Sequence, residues 1–186
     1  MQVMSRKLPI DAVLFDLDSV RLSAPADTGA SFNPAVDAAL DALRQMGLKL
    51  GVVTDKASHS VEPLLQRSGV SMWFDIVVDG DTLAHCKPHP APLLHACEAL
   101  AVDPAHALFV GESENDALTA QAAGMPMICL SHGETDSYDV AALPCLRVIE
   151  ALAELPELIG GPQQWNRQKR AAHGEPRTED GGGLYI

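Results

Sequence analysis

Six short apolar segments recur along this chain, and helical patterns lie between most of them. The apolar segments span residues 12–15, 48–53, 75–78, 107–110, 127–130 and 146–149. Runs this short and this apolar predict strands that are buried on both faces of a sheet. Helical spacing and caps predict helices at 34–46, 58–68, 91–101, 115–123 and 150–158. This alternation predicts an α/β fold, a doubly wound, Rossmann-like parallel sheet with helices on both faces.

The composition predicts one folded domain followed by a tail. The chain has 186 residues, of which 47% are hydrophobic and 20% are charged, so it is long enough to bury a substantial core. We expect that core domain at residues 1–160. Residues 161–186 have mixed charge, few apolar side chains and three consecutive glycines. We therefore expect this C-terminal tail to be mostly disordered.

Charge and cysteine usage limit the classes of partner. The formal net charge of −12 disfavours nucleic acids and anionic membranes, because the general field repels phosphate. No apolar run approaches the roughly 18 residues of a membrane span, and the first ten residues lack the apolar region of a signal peptide. The four cysteines are scattered without the spacing of a disulfide framework. We therefore expect a cytoplasmic protein with reduced thiols and neither a nucleic-acid nor a membrane partner.

Two aspartates, Asp16 and Asp18, directly follow the first predicted strand. At the carboxyl end of a parallel strand, where open α/β sheets bind ligands, both side chains can face the same crevice. Two carboxylates this close repel each other, and burying them without a partner is costly. We therefore expect a cation between them. The alternative is that one aspartate caps a helix and the other is an ordinary loop residue.

Three later segments carry residues that could bind a phosphate or a divalent cation. Thr54 follows the second strand and could bind a phosphoryl oxygen, although a threonine there more often caps a helix. Lys87 lies on a proline-rich loop, where it could neutralise carboxylates or a phosphate, or be a solvated lysine. Glu112 and Asp116 follow the strand at 107–110. Their oxygens suit Mg²⁺, but the helix dipole also favours acidic residues at that position.

In this order, these residues resemble the four motifs of the haloacid dehalogenase superfamily of phosphatases. The motifs are Asp-x-Asp, Ser or Thr, Lys, and an acidic Gly-Asp-x-x-x-Asp loop. The matching residues are Asp16, Asp18, Thr54, Lys87, Glu112 and Asp116. The segments at 80–83, 87–94 and 120–126 are similar to the phosphoglycolate phosphatase-like branch. The resemblance covers about residues 10–159.

The resemblance implies a phosphomonoester hydrolase that acts through an aspartyl-phosphate intermediate. Asp16 would be the nucleophile, and Asp18 would be the general acid and then the general base. The implied phosphate-binding residues are Thr54, Asp55 and Lys87. The implied cofactor is Mg²⁺, with expected ligands among Asp16, Asp18, Glu112 and Asp116. The substrate would be a phosphorylated small molecule or a larger phosphorylated molecule.

Three substitutions depart from the family pattern. Ser19 stands where the family usually has glycine, which would be strained if the turn needed a positive φ. Asp55 stands where Asn or Ser is common, and it adds negative charge beside the phosphate site. Glu112 replaces the usual Asp, and its extra methylene matters because Mg²⁺ demands near-octahedral geometry.

The segment between the first motif and the next predicted helix is short. Residues 19–33 make only a loop, whereas relatives of this branch carry a helical cap domain there. We therefore expect no cap domain and an open site, which a homo-oligomer could cover or a large substrate could use. The alternative to an active phosphatase is a weak or inactive pseudophosphatase that serves as a binding or regulatory module.

Overall fold

The computed structural model describes residues 10–21, 34–68, 70–131 and 143–160. In these ranges the backbone forms one sheet of six strands, all paired in parallel. The strands are β1 (Ala12–Phe15), β2 (Lys49–Val53), β3 (Ile76–Val78), β4 (Ala107–Gly111), β5 (Met127–Leu130) and β6 (Arg147–Ile149). Their spatial order is β3-β2-β1-β4-β5-β6. The order grows outward from β1 in two directions, as in doubly wound folds, so the predicted fold class is confirmed.

In the described ranges, six α-helices connect or follow these strands. They are α1 (Leu17–Arg21), α2 (Pro34–Gln45), α3 (Ser58–Ser68), α4 (Ala91–Leu100), α5 (Glu114–Ala123) and α6 (Leu155–Ile159). The start and stop signals are readable in the sequence. Pro34 begins α2, where its missing N–H is no loss. Ser113 caps α5, and Gly124 ends it with a φ of 65°, a conformation that glycine adopts without strain.

The core consists of two layers, one on each face of the sheet. Side chains of β1 alternate between them, since Val13 and Phe15 pack in one layer and Ala12 and Leu14 in the other. The first layer also contains buried side chains of α1, α2, α3 and α6. The second contains those of α4 and α5. Both faces of the sheet are therefore covered, which leaves its edge at the strand ends for a site.

Helix α1 was not predicted from the sequence. It has only five residues, too few for a periodic pattern, yet Leu17 and Val20 are both fully buried. Ser19 lies within this helix and is also buried. In the described part of the chain, the non-glycine residue with a positive φ is Ala101, at 52°. The conformation that would have required glycine at position 19 is therefore not adopted.

Some expectations fall on residues outside the described ranges. The predicted disorder of residues 161–186 is one, and most of the short segment 19–33 is another. Within the described ranges, no helix is long and apolar enough to cross a membrane.

Leu14 provides a test of the second core layer. It is fully buried in the central strand, so Leu14→Ala should lower the free energy of unfolding by about 2–5 kcal/mol through lost burial and a residual cavity. Urea denaturation followed by circular dichroism would measure the change. The matched control is Leu146→Ala, because Leu146 is 59% exposed and should change stability by about 0.5 kcal/mol or less. Equal losses in the two variants would contradict this account of the core.

Candidate active site

A cleft of about 600 Å³ lies at the carboxyl ends of the central strands. It brings together all seven side chains predicted for the site, namely Asp16, Asp18, Thr54, Asp55, Lys87, Glu112 and Asp116. Pairing of β1 with β2 on one side and β4 on the other explains this convergence. The cleft thus lies where the strand order changes direction, the usual ligand site of open parallel sheets. Three further lining residues were not predicted as site residues: Lys56, Ser113 and Asn115.

Asp16 is held at the end of β1 by both its backbone and its side chain. Its N–H donates to the carbonyl of Val110 at 2.9 Å, which fixes it beside β4. One carboxylate oxygen lies 2.7 Å from the Lys87 ammonium, and the other accepts the N–H of Asp18 at 2.9 Å. Burial raises the pKa of Asp16, and the charges of Asp116 and Asp18 raise it further, against the opposing effect of Lys87.

Lys87 is the central cation of the cleft. Its ammonium lies 2.7 Å from Asp16 and 2.6 Å from Asp116, and the side chain is only 5% exposed. Burial lowers the pKa of Lys87, but the Asp116 and Asp16 carboxylates outweigh it, so the pKa is raised above its ordinary value. Lys87 therefore stays charged at physiological pH. The Lys87 ammonium bridges Asp16 and Asp116, and the cation expected between Asp16 and Asp18 stays a prediction.

Asp116 organises the acidic loop after β4. One of its carboxylate oxygens binds Lys87, and the other accepts the N–H groups of Glu112 and Ser113 and the Ser113 hydroxyl, at 2.7–3.1 Å. The Ser113 hydroxyl in turn accepts the N–H of Asp116, which completes a capping box on α5. At Gly111 an added Cβ would lie 2.6 Å from the Cβ of Asp116. The close approach of Asp116 therefore requires glycine there.

Thr54 and Asp55 connect the β2 loop to its neighbours. Thr54 is buried; its N–H donates to Val78, and its hydroxyl accepts the N–H of Lys56 at 3.3 Å. Asp55 is exposed, and its carboxylate accepts the backbone N–H of Lys87 at 2.9 Å. This bond shows what the acidic side chain at position 55 does in the folded chain. It ties the lysine loop to the loop that carries Thr54.

Lys56 forms an ion pair with Asp18, with 2.8 Å between the ammonium and the carboxylate. Both side chains are about one-third exposed, at 38% and 33%. Each aspartate of the first motif therefore has its own lysine.

The sequence did not indicate a site role for Lys56, because a lysine after a strand looks like any solvated lysine. A Ser-x-x-acid pattern at 113–116 could have indicated the capping box.

The donor set of the cleft fits a divalent cation. Three carboxylates, those of Asp16, Glu112 and Asp116, belong to buried residues, whereas the described part of the cleft has one buried ammonium, Lys87. This excess of hard, anionic oxygen suits Mg²⁺. In the described ranges, no three His, Cys, Asp or Glu side chains are arranged to hold a metal by themselves. Mg²⁺ would therefore use one or two carboxylates together with carbonyl, water or phosphate oxygens, which is its usual mode of binding.

A family model described as haloacid dehalogenase-like hydrolase matches residues 19–124, more than half of the chain. The chain belongs to the haloacid dehalogenase-like hydrolase family. The matched range contains the threonine, lysine and acidic-loop motifs and begins just after Asp18. The family membership expected from the motifs is therefore confirmed.

Two curated relatives are phosphoglycolate phosphatases. The chain is 44% identical over 126 residues to the enzyme of Nitrosospira multiformis. The aligned region covers 68% of this chain and 56% of the relative. It is 40% identical over 126 residues to that of Nitrosococcus oceani, with the same two shares. This chain thus spans about half the length of the curated relatives that it matches.

A solved structure shares the fold. A predicted phosphoglycolate phosphatase from Haemophilus somnus superposes with a TM-score of 0.70 at 21% identity, covering 81% of this chain and 98% of that one. At this identity the likeness shows the fold alone.

Replacing Asp16 should stabilise the metal-free chain. Because the pKa of Asp16 is raised in the folded chain, the neutral carboxyl favours folding. This contribution to the free energy of unfolding is fully present below the ordinary pKa of 3.8 and is lost as pH rises through the folded pKa. Asp16→Asn should therefore raise the melting temperature at neutral pH, with the gain disappearing below about pH 4. Asp18→Asn is the matched control, and it should give no gain because Asp18 has an exposed lysine partner. A lower melting temperature for Asp16→Asn would contradict the electrostatic account.

Replacing Asp116, in contrast, should lower the free energy of unfolding. Asp116→Ala leaves the N–H groups of Glu112 and Ser113 and the Ser113 hydroxyl without their acceptor, so about 3–5 kcal/mol of stability should be lost. Urea denaturation measures the loss. Asp41→Ala removes an exposed carboxylate that accepts from Gln45, and it should cost about 0.5 kcal/mol or less. A small loss for Asp116→Ala would mean that the loop is held by other contacts.

Proposed function

We propose that this chain is a Mg²⁺-dependent phosphomonoester hydrolase that acts through an aspartyl-phosphate on Asp16. The observation that carries the proposal is the carboxylate of Asp16, buried at the cleft edge and held 2.7 Å from a lysine that stays charged. A carboxylate in this setting is oriented, largely shielded from water and paired with a cation that can also attract phosphate. These are the requirements of a nucleophile that must attack an anionic phosphorus centre.

In the first step the Asp16 carboxylate bonds to phosphorus, and the bond from phosphorus to the ester oxygen breaks. Asp18 gives its proton to the departing alcohol oxygen and then takes a proton from the water that hydrolyses the aspartyl-phosphate. The Asp18 carboxylate suits this exchange because it lines the cleft, two residues from the nucleophile, and is one-third exposed. Water can therefore reach it between the two steps.

Thr54 and Lys87 would bind the phosphoryl oxygens. Thr54 lines the cleft at the end of β2, and the Lys87 ammonium lies between two carboxylates of the same cleft. Charge neutralisation and positioning of this kind supply most of the catalysis in phosphoryl transfer. In our proposal Asp55 acts at this site indirectly, through its bond to the Lys87 backbone.

The residues proposed to hold the metal are Asp16, Asp18 through its backbone carbonyl, and Glu112. When bound, Mg²⁺ would shield the anionic nucleophile from the anionic phosphate. The carboxylate oxygens of Asp116 already accept four hydrogen bonds, so we propose that Asp116 chiefly positions the loop and Lys87. Its predicted role as a direct metal ligand stays a prediction.

The names of the relatives support a small phosphorylated acid as the substrate, and we propose 2-phosphoglycolate as the first candidate. Nucleic acid is not proposed as a partner because the chain carries a formal net charge of −12. The homo-oligomer and the cytoplasmic location stay predictions. The second candidate function is a phosphate-binding module with little turnover, which the short segment 19–33 and Glu112 favour.

Phosphate release decides between the two candidates. The chain should hydrolyse p-nitrophenyl phosphate and 2-phosphoglycolate only with Mg²⁺, and Asp16→Asn should reduce the rate by about three orders of magnitude or more, because the nucleophile is gone. Release of inorganic phosphate is the measurement. Folded protein that releases no more phosphate than the variant would exclude the hydrolase. In that case a melting temperature raised by Mg²⁺ and phosphate together would support the binding module.

A further inference from the structure

We propose that Lys56 recognises a second anionic group on the substrate, placed next to the ester oxygen. The preferred ligand class would then be phosphomonoesters of short hydroxy acids. This inference rests on the proposed function, because it takes Asp18 as the group that meets the ester oxygen. It assigns to the core of the fold a recognition role that the motifs do not specify.

The first observation is a difference between two lysines. Among the described residues that line the cleft, Lys56 and Lys87 are the cations. The Lys87 side chain is 5% exposed and its ammonium lies between two carboxylates, so it cannot move away from them to pair with a second anion. The Lys56 side chain is 38% exposed. A ligand that enters the cleft can therefore reach the Lys56 ammonium without first removing it from a buried pair.

The second observation is that the backbone of Lys56 is fixed while its ammonium is accessible. Its N–H donates to the Thr54 hydroxyl, and its carbonyl accepts the N–H of Gly80 at 2.8 Å. An added Cβ at Gly80 would lie only 2.4 Å from the carbonyl oxygen of Asp55, so the two loops are in close contact. Two residues on, Ser58 binds Asp79 and Asp81. The backbone of Lys56 therefore needs no rearrangement when an anion binds, and only its side-chain rotamers have to be ordered.

The third observation is the partner of Lys56. Its ammonium lies 2.8 Å from the Asp18 carboxylate in an exposed ion pair, and such pairs contribute little to stability, so exchange for another anion is easy. An anionic group on the substrate can therefore take the place of Asp18 beside Lys56.

The geometry also limits where that anion can lie. Asp18 has to reach the ester oxygen, and Lys56 is one hydrogen bond away from Asp18. Three hydrogen bonds in sequence, from the ester oxygen to Asp18, from Asp18 to Lys56 and from Lys56 to the anion, place the second anion within about 8 Å of the ester oxygen. A carboxylate one or two carbon atoms from that oxygen meets this limit. A neutral ester, or an acid with a long spacer, does not.

Ligand binding to the non-hydrolysing variant Asp16→Asn, with Mg²⁺ present, tests the inference. Calorimetry should show that 2-phosphoglycolate binds about tenfold more tightly than ethyl phosphate, the gain expected from one charge-assisted hydrogen bond. Adding Lys56→Met should reduce this ratio to near one, and Lys56→Arg should restore most of it. The ratio of the two affinities is the readout, because loss of the ion pair with Asp18 alone would change the affinities for both ligands equally.

Lys49→Met is the matched control. Lys49 begins β2 at the opposite end of the strand, where its ammonium donates to the carbonyl of Leu100, and its removal changes the net charge equally. The tenfold ratio should persist in this variant. Equal affinities for the two ligands, a preference that survives Lys56→Met, or binding of neither ligand would each overturn the inference. Phosphate release from the unmodified chain reports on the proposed function separately, so either proposal can fail alone.

Discussion

The buried ammonium of Lys87, held between Asp16 and Asp116, is the interaction on which the rest of the site depends. It joins three parts of the chain that are far apart in sequence: the end of β1, the proline-rich loop before α4 and the start of α5. A buried lysine is tolerated only when its charge is matched by well-placed anions. The fold therefore has to bring these two strand ends together to accommodate Lys87. Through Asp55, the same residue also fixes the loop that follows β2.

This arrangement leaves the cleft with more negative than positive charge. The effect is visible in Asp16, whose pKa is raised by burial and by the neighbouring carboxylates despite its bond to Lys87. A protein selected for stability alone would replace one of these carboxylates with a neutral side chain. Their retention follows if a cation and an anionic ligand complete the site, because functional sites commonly carry such a cost in stability. The chain-wide charge of −12 makes this local positive partner more necessary.

The sheet and most of the site could be predicted because both follow from strand ends. Each strand is a short apolar run, and parallel strands place the residues after them at one edge, so Asp16, Thr54 and Glu112 had to converge. The features that were missed depend on distances that no local pattern reports. Helix α1 is too short for periodicity, and it is set by burial of Leu17 and Val20. The roles of Asp55 and Lys56 depend on which loop packs beside them.

The two lysines of the cleft differ in burial, and they therefore differ in how easily they exchange ion-pair partners. Lys87 is surrounded by carboxylates in low dielectric, where exchanging a partner would leave a buried charge unmatched, so it serves as a fixed element of the site. Lys56 pairs with Asp18 where water screens both charges, so exchange there is easy. A site that must hold a nucleophile still and also accept and release a ligand needs both kinds of cation. In the described part of this cleft, the loop after β2 supplies the exchangeable cation.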